Sequence, residues 1–203
     1  MARLRTLRFA LWGVVALAVV AAGGLWAWRS LGPEVTAAVE GEALVGGSFE
    51  LVNGAGETVT HADFEGRPFV IFFGFTHCPD ICPTSLFEMA QWIDELGPAA
   101  DRLRFAFVTV DPERDTPAVM RDYVGAFSDH IIPLTGTPAQ VEQVLDAYRV
   151  YAKKVPLDGD DYTMDHSAFV YLMDAQGRYE AHITYGEESE RALAKLRALA
   201  AGA

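Results

Sequence analysis

An uncharged and almost wholly apolar run, Pro68 to Gly74, leads directly into the only two cysteines of the chain, Cys78 and Cys82. A run of this length and composition is typical of a β-strand that is covered on both faces of a sheet. A helical pattern follows from about Pro79 to Leu96, and Gly97-Pro98 ends it. A buried strand that passes into a helix predicts an α/β fold.

The rest of the pattern extends this alternation. The predicted elements are a hairpin around Asn53-Gly54, strands over 103–110 and 131–134, helices over 117–127 and 138–148, an edge strand over 150–155, a hairpin formed by 167–173 and 179–184, and a terminal helix over 188–201. This order predicts a mixed central sheet flanked by helices on both faces. The cysteine segment and the segment that begins at Asp111 both follow predicted parallel strands, where sites in α/β sheets are usually built.

The N-terminal segment has a different character. Phe9 to Trp28 is a stretch of 20 residues without a charge, and as a helix it would rise about 30 Å, close to the thickness of a bilayer core. Arg3, Arg5 and Arg8 precede the stretch. Flanking arginines stay on the cytoplasmic side, so everything after about Arg29 is predicted to lie outside the cytoplasm.

These observations predict three parts: a membrane anchor over 1–29, a linker over 30–45 and one domain over 46–203. The alternative for the first part is a signal peptide, cleaved near Val20-Ala21-Ala22. Both interpretations export the domain, and an exported compartment permits disulfides.

The charge of the chain excludes one class of partner. The formal net charge is −12, and the four basic residues up to Arg29 are accompanied by no acid, so the remainder has 12 basic and 28 acidic residues and a charge of −16. A domain this acidic is not expected to bind nucleic acid or an anionic lipid surface.

The cysteine pair is the main candidate for chemistry. Two cysteines in a domain of this size are not a disulfide scaffold, and a loop of only a few residues gives a disulfide little chain entropy to remove. Near a helix N-terminus the pKa of Cys78 is expected to be depressed, which favours the thiolate. The pair therefore suits a soft metal ion or a reversible, redox-active disulfide.

A third ligand has to come from elsewhere, because two cysteines alone leave zinc or an iron–sulfur cluster short of ligands. A histidine would complete a set suited to copper, as Cu(I) or Cu(II). Among the five histidines, His166 has the most suggestive context, a loop that enters an apolar strand, with Asp165 as a candidate to orient its imidazole. Asp111 is a second candidate for a supporting acid, and Met164 is either a weak ligand or a packing residue.

The remaining histidines and one further acid are assigned lesser roles. His77 is expected to tune the electrostatics of Cys78 at most, because neighbouring side chains diverge. Asp115 is interpreted as a turn or capping residue. His61 and His130 are placed near turns, and His182 along a strand.

Five segments of the chain, in order, resemble the Sco/SenC/PrrC family: Gly46-Gly47-Ser48-Phe49, Asp63-Phe64-Glu65-Gly66, Phe73 to Pro83 with both cysteines, Val110 to Pro117, and Asp165-His166-Ser167. The resemblance covers nearly all of residues 45 to 200. It implies a thioredoxin-like fold tethered by one helix to the inner (cytoplasmic) membrane, with the domain facing the periplasm. It also implies copper binding by Cys78, Cys82 and His166.

The resemblance implies a copper metallochaperone, not an enzyme, that serves the binuclear copper centre of cytochrome c oxidase subunit II. A copper donor protein and a thioredoxin-like reductant are further expected partners. The second hypothesis is a thiol–disulfide oxidoreductase that reduces the cysteines of that subunit, although the Cys-x-x-x-Cys spacing is not that of general oxidoreductases. A peroxidase is disfavoured because Phe75 stands where such sites carry Thr, and an inert disulfide is the remaining alternative.

Overall fold

The computed structural model describes residues 45–159 and 161–202. The predicted anchor and all but the last residue of the predicted linker lie outside the described residues. Within the described ranges, no helix is both long enough and apolar enough to cross a membrane.

The centre of the fold is a seven-stranded mixed sheet. Its strands are β1 (Glu50–Asn53), β2 (Thr58–Thr60), β3 (Phe69–Gly74), β4 (Arg104–Thr109), β5 (Ile131–Thr135), β8 (Phe169–Met173) and β9 (Tyr179–Thr184), while β6 (Ala152–Pro156) and β7 (Tyr162–His166) form a separate hairpin. The strand order in the sheet is β2-β1-β5-β4-β3-β8-β9. Strands β3, β4 and β5 are parallel, and the other pairs are antiparallel.

In the described residues, four α-helices accompany the sheet: α1 (Ile81–Leu96), α2 (Pro117–Gly125), α3 (Pro138–Ala147) and α4 (Ser189–Ala201). Helix α1 contacts α4, whereas α2 packs on β5 and α3 on β1. Short 3₁₀ turns lie at His61–Asp63 and Gly97–Arg102. The predicted mixed sheet with flanking helices is confirmed.

Local chemistry sets the bounds of these helices. The Thr116 side chain accepts the amide of Val119 at the start of α2, and Thr137 forms a capping box with Gln140 at the start of α3. Each cap is followed by proline at the first helical position, where the missing N–H has no partner to lose. Helix α1 ends at Leu96, and the φ of 52° at the following Gly97 suits a residue without a side chain.

Two predicted elements differ from the structure. Residues 150–155 were expected at an edge of the sheet, but β6 pairs with β7 outside it. Residues 162–166 were expected in a loop, but they form β7, whose pairing with β6 matches Ala152 with His166 and Pro156 with Tyr162. Short polar strands such as these give a weak pattern in sequence, because neither face is continuously apolar.

The parallel strands bring two segments to one edge of the sheet. Val110, which follows β4, donates its amide to the carbonyl of Gly74 at the end of β3 (2.8 Å). The segment that contains Cys78 and the segment that begins at Asp111 therefore leave the sheet side by side, as the sequence predicts.

Candidate metal centre

Three potential ligands converge beyond the end of β3. One ligand atom each from Cys78, Cys82 and His166 lies within 4.8 Å of the other two, and the described part of the chain contains no second such group of three. The Cys82 sulfur is 3.5 Å from His166 Nε2, across 84 residues of sequence. Both cysteines are free thiols.

The two sulfurs are brought together by a turn and not by one helical face. Cys78 precedes α1, in a turn where its amide donates to the Phe75 carbonyl (3.3 Å), and Cys82 is the second residue of α1. The amide of Cys82 donates to the Cys78 sulfur (3.4 Å). The Cys78 sulfur thus occupies an acceptor position at the helix N-terminus, where the unpaired amides favour a negative charge.

A buried carboxylate holds the segment that leads to Cys78. Asp115 is fully buried and accepts hydrogen bonds from the Thr76 hydroxyl (2.6 Å), the Thr76 amide (3.2 Å) and the Thr109 hydroxyl (2.6 Å). Asp115 therefore joins the segment after β3 to the end of β4. The sequence interpretation of Asp115 as a turn or capping residue missed this link. Burial raises the pKa of the Asp115 carboxyl group.

The absence of a side chain at Gly74 makes room for the second sulfur. A Cβ atom placed there would lie 2.8 Å from the Cys82 sulfur and 2.8 Å from the Phe107 ring. Any other residue would have to displace one of them. The sequence analysis did not select Gly74, although a glycine inside an apolar strand signals the close approach of another group.

The imidazole of His166 is oriented by its own loop. Its Nδ1 lies 2.9 Å from the carbonyl oxygen of Ser167. A carbonyl can only accept a hydrogen bond, so Nδ1 carries a proton, and Nε2, near the Cys82 sulfur, is the nitrogen with a free lone pair in the neutral ring. The buried Phe75 ring packs edge-on against the imidazole, with the centroids 5.7 Å apart.

The predicted supporting acids lie at different places. Asp165 is exposed on β7 and lines a cavity next to Cys78, while the contact on His166 Nδ1 is made by Ser167. An orienting role for Asp165 stays a prediction. Asp111 is buried and bonds to Arg114 and Tyr162 at the far end of β7. The Asp111 side chain is therefore linked to the candidate ligand His166 through the β6–β7 hairpin.

The other sulfur and imidazole groups are not part of the cluster. Met164 packs partly buried against the core and lines the same cavity as Asp165. His77 is exposed, with Nδ1 3.1 Å from the Thr76 hydroxyl. The other three histidines are His61 beside Phe49, His130 after α2 and His182 on β9 beside Phe169.

The two thiols have opposite electrostatic environments. A hydrogen bond from Cys82 is the main cause that lowers the pKa of Cys78, and hydrogen bonds from the amides of Cys82 and Asp80 add to it, against the opposing effect of burial. The same hydrogen bond, burial and the charge of Cys78 raise the pKa of Cys82. The metal-free, reduced site therefore holds a half-buried Cys78 thiolate beside a buried, protonated Cys82.

This difference predicts selective alkylation of the reduced, metal-free domain. A depressed pKa keeps Cys78 as thiolate when the pH falls, so its labelling by iodoacetamide should slow less than 10-fold between pH 8.5 and pH 6. An ordinary thiol of pKa about 8.5 would slow roughly 100-fold over that range. Cys82 should react only after unfolding. Mass spectrometry of labelled peptides measures both, and equal labelling of the two cysteines at pH 6 would contradict the assignment.

A cavity of about 230 Å³ gives access to the site. Its lining includes Cys78, His166 and Asp165. Cys82 lies behind them, fully buried. An incoming group would therefore reach the site at Cys78 and His166 before Cys82.

The fold and the site together define a thioredoxin-like domain with a Cys-x-x-x-Cys pair and a distant histidine at one edge of its sheet. The model of the SCO1/SenC family matches residues 37–201. The chain belongs to the SCO1/SenC family.

Several known proteins are similar to this chain. A SCO2-like protein of Rickettsia felis is 41% identical over 145 residues, which cover 70% of this chain and 71% of the relative. The human mitochondrial protein SCO1 homolog is 43% identical over 142 residues, which cover 68% of this chain and 47% of the relative.

Solved structures agree with the architecture. The structure of Bradyrhizobium japonicum ScoI with copper bound is 47% identical, with a TM-score of 0.72, and covers 76% of this chain and 99% of that one. The crystal structure of yeast Sco1 with copper bound is 36% identical, with a TM-score of 0.69, and covers 75% of this chain and 86% of that one.

Proposed function

We propose that this protein is a copper-binding assembly factor for cytochrome c oxidase. It holds one copper ion through Cys78, Cys82 and His166 and delivers it to the binuclear copper centre of subunit II. The observation that carries the proposal is the convergence of these three donors within 4.8 Å, from segments far apart in sequence. Copper-bound structures of similar proteins support it.

The chemistry of the donor set fits copper. Two sulfurs and one imidazole are soft to borderline ligands, which favour Cu(I), and the imidazole also tolerates Cu(II). Structural zinc sites have four protein ligands, and this cluster offers three. A lowered Cys78 pKa supplies one thiolate before the metal arrives, and binding of the cation would remove the proton of Cys82.

A copper ion held by only three protein ligands beside an accessible cavity would also be suited to transfer to a partner protein. A partner cysteine or histidine can approach through the cavity beside Cys78 and add to the metal before any ligand leaves. Transfer by successive ligand exchange then needs no fully dissociated ion. The accessible Cys78 and His166 would be released first and the buried Cys82 last.

A thiol–disulfide oxidoreductase acting on the same subunit is a second candidate, and the asymmetry of the thiols favours it. The half-buried Cys78 thiolate can attack a partner disulfide, and Cys82 lies close enough to resolve the mixed disulfide. The products are a reduced partner and a Cys78–Cys82 disulfide, which an external thioredoxin-like reductant would return to two thiols. Copper binding and this reaction need the same pair.

The proposed setting rests on the apolar N-terminal segment and on what the family resemblance implies. Residues 1–29 anchor the protein in the inner membrane as a single-pass helix, 30–45 form the linker, and 46–203 form the copper-binding domain in the periplasm. Its partners there are subunit II of the oxidase, a copper donor protein and a thioredoxin-like reductant. The charge of −16 on residues 30–203 disfavours nucleic acid.

Copper stoichiometry of the purified domain, residue 43 onward, tests the proposal. The reduced wild-type domain should retain one copper ion per chain after desalting. The Cys78→Ser/Cys82→Ser variant should retain none, because hydroxyl groups replace both soft ligands while the fold keeps its core. Circular dichroism confirms that the variant is folded. If the wild-type domain retained no copper but exchanged its disulfide with a thiol partner, the copper-binding function would be wrong and the thiol–disulfide oxidoreductase would take its place.

A further inference from the structure

The hairpin that carries His166 lies outside the main sheet. Strands β6 and β7 pair only with each other among the described strands, whereas β3 and β4, which lead to the rest of the site, lie inside the seven-stranded sheet. A two-stranded hairpin is marginally stable by itself in water. Side-chain contacts must therefore hold this one on the domain.

One end of the hairpin is tied to the domain by the chain itself. Residues 150–152 enter it and residues 166–169 leave it, next to His166. Two hydrogen bonds between Tyr151 and Ser167 close this end. The Tyr151 amide donates to the Ser167 hydroxyl, and the Ser167 amide donates to the Tyr151 carbonyl. These bonds join the two strands to each other but do not fix the opposite end, which begins at Tyr162.

The opposite end is held by three residues that we call the latch: Tyr162, Asp111 and Arg114. The Tyr162 hydroxyl donates to Asp111 Oδ1 (2.8 Å), and Arg114 Nη1 donates to the Tyr162 carbonyl (2.9 Å). Arg114 Nε donates to Asp111 Oδ2 (2.5 Å). The guanidinium carbon lies 3.8 Å from the centre of the Tyr162 ring.

The two charged residues of the latch are protected from solvent, which makes their contacts strong. The Asp111 side chain is 2% exposed and that of Arg114 is 18% exposed. Hydrogen bonds to charged groups at such sites exceed neutral ones in strength, and the planar guanidinium stacks well on a ring. The nearby pair of Lys154 and Glu113 is exposed and adds little. Burial, followed by the bond to Asp111, raises the pKa of Tyr162 to about 12, so the hydroxyl keeps the proton that it donates.

We infer that Tyr162 is a positioning residue for the metal ligand His166. The two residues lie four positions apart on β7, about 13 Å along an extended strand. Because the hairpin is fixed by the chain at one end and by the latch at the other, release of the latch lets β7 tilt. The imidazole would then move relative to the sulfurs, which are held independently by α1 and by Asp115. The inference rests on the proposed role of His166 as a ligand.

The test compares Tyr162→Phe with Tyr179→Phe. Tyr162→Phe removes the hydroxyl that bonds to Asp111 and leaves the ring under Arg114. Tyr179→Phe removes a hydroxyl of the same kind, which contacts His182 on β9 away from the latch. Hydrogen exchange of the metal-free domain reports on the hairpin, competition with a Cu(I) chelator reports on affinity, and the thiolate-to-Cu(II) absorption band reports on ligand geometry.

Tyr162→Phe should speed the exchange of amides in 152–166 about 10-fold while amides of β3 keep wild-type rates. It should weaken Cu(I) binding roughly 10-fold and shift the absorption band, whereas Tyr179→Phe should resemble wild type in all three readouts. Faster exchange with unchanged affinity and absorption would overturn the positioning role, as would an unchanged hairpin. If the wild type bound no copper, the proposed function would fail. In the same metal-free samples, hairpin exchange in Tyr162→Phe that equals the wild-type rate would separately overturn the role of the latch.

Discussion

The His166→Ala variant should bind Cu(I) on the order of 100-fold more weakly than the wild type, and its Cys78–Cys82 disulfide should still exchange with a small thiol at a rate within about threefold of the wild type. Even the loss of a residue that only supports a ligand costs 10- to 100-fold in metal affinity, so the loss of a ligand should cost at least as much. Disulfide exchange needs the two sulfurs, which remain. Chelator competition and a glutathione exchange assay measure the two quantities.

His77→Ala is the matched control for this variant. His77 is adjacent to Cys78 in sequence but exposed, and its ring contacts Thr76 and not the cluster. Its copper affinity should remain within about threefold of the wild type. Equal losses of copper affinity in the two variants would mean that His77 and His166 act on the site through charge alone. An unchanged copper affinity in His166→Ala would contradict the three-ligand site.

Asp115→Ala should lower the free energy of unfolding by about 3 kcal/mol, because it leaves the buried hydroxyl of Thr109 and the partly buried hydroxyl of Thr76 without their acceptor and opens a cavity. Asp115 also accepts the amide of Thr76, and its carbonyl accepts the Thr135 hydroxyl (2.7 Å), so it joins the segments after β3 and β4 to β5. Urea denaturation of the reduced, metal-free domain measures the change. Copper affinity should fall as well, since Thr76 leads to Cys78.

Asp122→Ala provides the comparison for Asp115. Asp122 lies on α2, is 71% exposed and pairs with an exposed Arg121. Its removal should change the free energy of unfolding by no more than about 0.5 kcal/mol. An Asp115→Ala variant as stable as Asp122→Ala would show that the buried carboxylate is not needed to hold the cysteine segment.

The main sheet and its helices were predictable because their signals are local. The apolar residues of β3 are buried on both faces, and caps such as Thr116 and Thr137 define helix starts within three residues of sequence. The beginning of α1 was placed two residues too early. The Cys78-Pro79 turn lies there, and Asp80 is the cap of a helix that starts at Ile81.

The candidate site was predictable in its residue types but not in its support. The sequence marked Cys78, Cys82 and His166, and the resemblance to a family linked them. Three supporting features needed the structure: the bond from Thr76 to Asp115 and the bond from Tyr162 to Asp111 have no local signature, and the glycine at position 74 signals a close approach without naming the group that approaches. Each depends on partners 8 to 51 residues away in the sequence.

The sequence by itself determined the fold class, the order of elements and the soft chemistry of the candidate ligands, because apolar periodicity, caps and sulfur are properties of residues and their near neighbours. Only the tertiary structure decided how the site is assembled. A separate hairpin brings His166 to within 3.5 Å of Cys82, and a buried carboxylate holds the segment before Cys78. The physical reason is that hydrogen bonds between distant segments depend on the packing of the whole sheet, which no short stretch of sequence encodes.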